Sequence, residues 1–239
     1  MAALALFQIA SIVALIGMGL GWRGVMTKYS GFYDLPTAWS MMFWGLLLGG
    51  FYGNMTDGFL LVPYLIEGQI TLSSLLICLG LAVIVHLILR RERVRRTGSQ
   101  PTTGWALGLA VGGMIAMFQI YRMLEYYEDI SIVVIVTILL IAIVSPRIHA
   151  LIFCAHGYKM LAGKRWSAVI ATFFWCALAI TALYSTSKYP LFWIFMIPPV
   201  LLAERKANDW VWAAVPRPAR RRLRRIWADA SRNIVEEEQ

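Results

Sequence analysis

From Ile130 to Val144 the chain reads ISIVVIVTILLIAIV, a run without a single charge, and its apolar character continues past Pro146 to about residue 158. Such a stretch belongs inside a large core or inside a bilayer. A water-soluble core is excluded by composition. Hydrophobic residues make up 59% of the chain, charged residues 15%, and the mean hydropathy is +0.66, too little polar surface to cover such a core. The apolar runs are continuous and do not alternate with period two, which argues against a membrane β-barrel. Helices satisfy their own backbone hydrogen bonds in lipid.

The expected fold is therefore all-α: a polytopic integral membrane helical bundle of about seven spans. The spans fall at roughly 3–21, 37–53, 70–89, 105–123, 130–158, 167–186 and 190–204. The fifth is too long to stand upright, since 29 residues at 1.5 Å each exceed a hydrocarbon core of about 30 Å. Pro146 lies inside it and lacks a backbone donor, which predicts a kink or break near Ser145. The stretch FLLVPYLIEG (59–68) is too short to span and reads as an interfacial or re-entrant piece. RTGSQPTTG (96–104) reads as a flexible connection. The first run lacks a basic leader and is long enough to span, so it reads as a helix and not as a cleavable signal.

Basic residues decide the orientation. With the N-terminus outside, 19 of the 22 lysines and arginines fall on the inner side: Arg23, Lys28, the arginines of RRERVRR, Lys159, Lys164, Arg165 and nine from Arg205 onward. The turn EYYED on the other side is acidic. This asymmetry places the C-terminus in the cytoplasm, in a plasma or inner membrane. A transmembrane domain (1–204) is then followed by a cytoplasmic tail (205–239). In the tail, Leu223, Ile226, Trp227, Ala230 and Ile234 share one helical face, and Arg220, Arg221, Arg222, Arg224 and Arg225 surround it. A basic amphipathic helix of this kind suits anionic headgroups, with Trp227 at the interface, better than nucleic acid.

Ionisable groups inside a bilayer are costly and mark candidate sites. Here they are Arg122, Arg147, His149, His156 and His86. Arg122 can snorkel towards Glu125 and Glu128. Arg147 lies at mid-depth, where carbonyls freed by Pro146 or polar groups of the fourth span, such as Gln119, must serve it. Arg147, His149 and Gln119 are thus the expected polar hub. His86, His149 and His156 are the candidate metal ligands. His149 and His156, seven residues apart, are separated by about 10.5 Å along a helix, too far to share one ion. A cross-helix pair of His86 and His156 is geometrically allowed, although no third ligand is apparent. Cys78, Cys154 and Cys176 lie scattered in apolar runs, with neither a disulfide framework nor a CxxC spacing.

PRIHALIFCAHGYKMLAG resembles the segment of PrsW-type intramembrane proteases in which a helix carries His-Ala-Leu followed by Gly-Tyr. AVGGMIAMFQIYRMLEY is similar to that family's glycine-rich helix, and AITALYSTS to its last histidine-bearing helix. The resemblance covers about residues 105–186. It implies a catalytic or metal-binding role for His149 and, if proteolysis is retained, a metal ion. The family's glutamate falls at Gln119, however, which has no carboxylate, and its second histidine at Thr181. The Glu-Glu-x-x-Lys element has no counterpart. Three readings follow. The chain is a non-catalytic membrane protein that binds or scaffolds lipid or other membrane proteins, an intramembrane metal-dependent protease or other membrane enzyme centred on residues 145–158, or a transporter or channel.

Overall fold

The computed structural model describes residues 3–127 and 129–237, and among them every element is helical. Glu128 and the side chains of Ala230 and Ile234 lie outside the described residues. The helices are α1 (Ala3–Lys28), α2 (Leu35–Thr56), α3 (Val62–Glu67), α4 (Ile77–Leu89), α5 (Glu92–Thr97), α6 (Gln100–Tyr126), α7 (Ile132–Leu161), α8 (Arg165–Lys188), α9 (Trp193–Ala214) and α10 (Arg217–Glu237). Among the described residues four helices, α1, α6, α7 and α8, are long and apolar enough to cross a membrane. Glycines dilute the apolar character of α2, and α9 carries Glu204, Arg205, Lys206 and Asp209 in its second half. The apolar helix around α4 covers only Ser74–Leu89. Large side chains such as Ile12, Phe43, Phe51, Leu139, Phe174 and Phe195 face outward. So much exposed hydrocarbon suits a lipid solvent.

Helix α6 is the centre of the bundle, with 72% of its apolar window buried against 28% for α1. Glycines bring its neighbours within backbone contact. Gly104, Gly108 and Gly112 of α6 lie against the carbonyls of Phe153, His149 and Ser145 of α7, and Gly157 of α7 against that of Gln100. In each case a Cβ would collide with the facing backbone. These pairs set an antiparallel register over four turns, and the Ser145 hydroxyl donates to the Gly112 carbonyl at 2.8 Å. Gly45, Gly49 and Gly53 of α2 face Leu107, Val111 and Phe118 in ascending order, so α2 runs parallel to α6. Gly17 and Gly21 of α1 face Ala142 and Arg147 in the same way, so α1 runs parallel to α7. Lipid provides no hydrophobic drive between helices, and such close small-residue packing replaces it.

Two local expectations are corrected, and a third segment joins a longer helix. Helix α7 runs through Pro146 without interruption. The proline removes one donor, and the carbonyl it frees, that of Ala142, is covered by Gly17 of α1. The segment 59–68 is helical and continues α2. A wide π-type turn at Asp57–Leu61 links α2 directly to α3, and Gly68 ends the helix in a left-handed conformation. RTGSQPTTG is largely helical as well. Only Gly98 (φ +65°) and Ser99 separate α5 from α6, whose first turn Pro101 favours.

Lys28, α5, the α7–α8 turn and the end of α9 meet at one end of the bundle, here termed the basic end. Helix α9 continues through residue 204 to Ala214, and the chain turns at 215–216 into α10. Leu223 is 3% exposed in a cluster with Val25, Tyr29 and Val215. Trp227 stacks on Trp212 at 5.7 Å. Arg220 donates to the carbonyls of Val215 (2.7 Å) and Ala213 (2.8 Å) at the end of α9. Leu223 and Arg220, expected to face the headgroups, thus face the chain's own bundle. Arg221, Arg222, Arg224 and Arg225 stay exposed.

Candidate functional site

The expected polar hub is not assembled. In the α6–α7 register His149 lies opposite Gly108, so Gln119 is eleven residues, or about 16 Å, further along α6. The Gln119 amide donates to the Leu183 carbonyl (2.6 Å) and the Ser187 hydroxyl (2.9 Å) of α8. His149 is fully buried; its Nδ1 donates to the Ser145 carbonyl at 2.9 Å, and its Nε2 has no hydrogen-bond partner among the described residues. Arg147 passes Gly21 of α1, and its buried Nε is also unpartnered. The expected hydrogen bonds from Arg147 to neighbouring helices are therefore absent among the described residues. Gly17, and not the guanidinium, covers the carbonyl that Pro146 frees, which leaves Arg147 without that acceptor.

His86 and His156 do meet. Nδ1 of His86 lies 3.1 Å from Nε2 of His156, whose Nδ1 lies 2.7 Å from the Thr172 hydroxyl. One imidazole must donate and the other accept, so the ring–ring bond requires at least one neutral ring. The chain of groups links α4, α7 and α8 and ends at the wall of an open cleft. Thr172 was not foreseen, because nothing in its local sequence separates it from other hydroxyl residues of α8.

That cleft, of about 660 Å³, lies between α7, α8 and α9. Helices α8 and α9 both pack on α7 and meet the 190–192 turn, yet scarcely touch each other. Its walls are apolar and partly small, with Ala155, Ala171, Ala182 and Ala203 leaving the space. At the basic end it carries His156, Thr172, Lys159 and Lys206. Neither ammonium meets a carboxylate among the described residues, and Lys159 has only a long contact of 3.5 Å to the Ser167 carbonyl.

At the opposite end sits an ion pair. Asp57, 4% exposed, opens the π-type turn and receives Arg122 of α6. Arg122 also donates to Glu125 at 2.7 Å. Glu125 was expected; Asp57, the stronger partner, was not. Its signal was available: a lone acid between apolar runs, at the same end of α2 as Arg122 is of the parallel α6.

The donors required by a protease metal do not fit. Among the described residues no three His, Cys, Asp or Glu side chains gather, and Gln119 and His149 lie far apart along the α6–α7 interface. No family model matches the chain, and neither a curated protein nor a solved structure matches it.

Proposed function

We propose that the chain is a seven-span membrane protein, N-terminus outside and C-terminus cytoplasmic in a plasma or inner membrane, that binds membrane components without catalysing hydrolysis. The observation that carries this is a contrast between two regions. The region resembling a protease core is closed, with His149 fully buried and the Gln119 amide occupied, whereas the α7–α8–α9 cleft is open. The parallel pairing of α1 with α7 and of α2 with α6 supports the topology, because alternate crossings require those directions. So does the gathering of basic groups at one end. The exposed tail arginines supply a surface for anionic headgroups. The PrsW-like resemblance is then one of sequence, without that family's glutamate and second histidine.

The test combines His149→Asn with elemental analysis of the detergent-purified protein. Unchanged cellular activity and less than stoichiometric metal are expected. A variant that folds normally but loses a proteolytic activity, or one bound metal per chain, would overturn the non-catalytic reading.

A further inference from the structure

We infer that the α7–α8–α9 cleft is a binding site for one anionic phospholipid of the inner leaflet, its phosphate held by Lys159 and Lys206 and one acyl chain lodged between α8 and α9. This rests on the membrane-binding reading above and names its ligand class.

Shape and charge carry the argument. Along α8 the cleft is lined from Ala168 to Ala182, about 21 Å of helix, more than the roughly 15 Å of one hydrocarbon leaflet. A volume of 660 Å³ lies within the usual range of small-ligand sites. The walls offer hydrocarbon for most of that length and change to polar groups only at the basic end. An amphiphile therefore has one orientation, with its head among Lys159, Lys206 and His156. An anionic head suits it, because two ammonium groups from different helices face it and neither forms an ion pair among the described residues. A lysine serves a phosphate as a point charge without demanding a planar partner. Thr172 and Trp210 line the same end and can supply a hydroxyl and an indole. Entry needs no gate, since the space between α8 and α9 opens sideways to lipid.

The experiment is native mass spectrometry of the full chain in detergent, titrated with phosphatidylglycerol and with phosphatidylcholine of identical chains. One phosphatidylglycerol should bind preferentially. Lys159→Gln/Lys206→Gln should cut that preference by about tenfold. Arg93→Gln/Arg95→Gln, which removes the same charge from exposed positions of α5 outside the cleft, should leave it unchanged. Ala171→Phe, which fills the cleft, should weaken binding of both lipids in a protein that remains monodisperse. Equal binding of the two lipids overturns the proposal. So does an equal loss in the α5 variant, or retention of the preference in the lysine variant. None of these outcomes bears on metal content or on the His149→Asn result, so failure here and failure of the non-catalytic reading are told apart.

Discussion

Arg122 of α6 holds Asp57 through Nε at 3.0 Å from both carboxylate oxygens and through Nη2 at 2.7 Å, joining positions 65 residues apart in the chain. Removing one partner strands the other. Asp57→Ala should lower stability by about 1–3 kcal/mol, below the 3–5 kcal/mol of a fully buried pair because the Arg122 side chain is 32% exposed and keeps Glu125. Asp57→Ala/Arg122→Leu should recover part of the loss in thermal unfolding in detergent. A double variant less stable than the sum of the two singles would show that the pair is not the unit.

The glycine interface separates two classes of substitution. At Gly108 and Gly112 a Cβ would strike the carbonyls of His149 and Ser145, and the backbone cannot move aside without parting α6 from α7. Ala at either position should cost about 1–3 kcal/mol, and Leu should prevent assembly. Gly80 of α4 has nothing within 4 Å, so Gly80→Ala should be neutral or stabilise by about 0.5–1 kcal/mol. Melting temperatures of the three alanine variants check the ranking.

Topology is tested by labelling single cysteines from each side of the membrane. Val94 is buried and Asp57 is paired, so the informative positions are the exposed Arg93 and Arg221 on one side and Gln69 and Asp129 on the other. Labelling of positions 93 and 129 by the same impermeant reagent would remove the seven-span arrangement.

Arg147→Met should be neutral or stabilising. The buried Nε has no hydrogen bond among the described residues to lose, and an unpartnered polar atom carries a desolvation cost of about 1–3 kcal/mol. This reverses the expectation from sequence, in which the guanidinium was needed to serve the carbonyls near Pro146. A clear loss of stability on urea or thermal denaturation would show a partner for the guanidinium beyond the chain's own helices.

Leu223→Glu should release α10 from the basic end, seen as loss of the Trp212–Trp227 contact by fluorescence, while Arg221→Gln/Arg222→Gln should instead weaken binding to anionic liposomes. That liposome binding should fall with salt, screened over about 10 Å at 0.1 M. The neighbouring contact of α1 with α9 has a pH limit through Tyr29, whose hydroxyl donates to the Asn208 carbonyl. Burial, then the Asp209 charge, raises its phenol above the ordinary 10.0. That contact is therefore undiminished below pH 10 and weakens as pH rises beyond it.

Composition and apolar run length by themselves determined that this chain is helical and has helices suited to lipid, because each is a local property: a helix closes its own hydrogen bonds, and twenty apolar residues measure one bilayer. Glycine spacing on α2 and α6 was equally visible, but which carbonyl each glycine meets depends on the partner helix. The break expected at Pro146 does not occur, and the carbonyl the proline frees lies against Gly17, over a hundred residues away. The same limit applies to side chains. His86 and His156 could be judged close in depth from their distances to the ends of their helices, whereas the separation of Gln119 from His149 followed only from the α6–α7 register. The pairing of Asp57 with Arg122 required parallel packing of α2 and α6. The cleft at Lys159 and Lys206 exists because α8 and α9 share α7 as a neighbour and scarcely touch one another. An absence of contact between two helices leaves no mark on the residues of either one, so tertiary structure alone decided it.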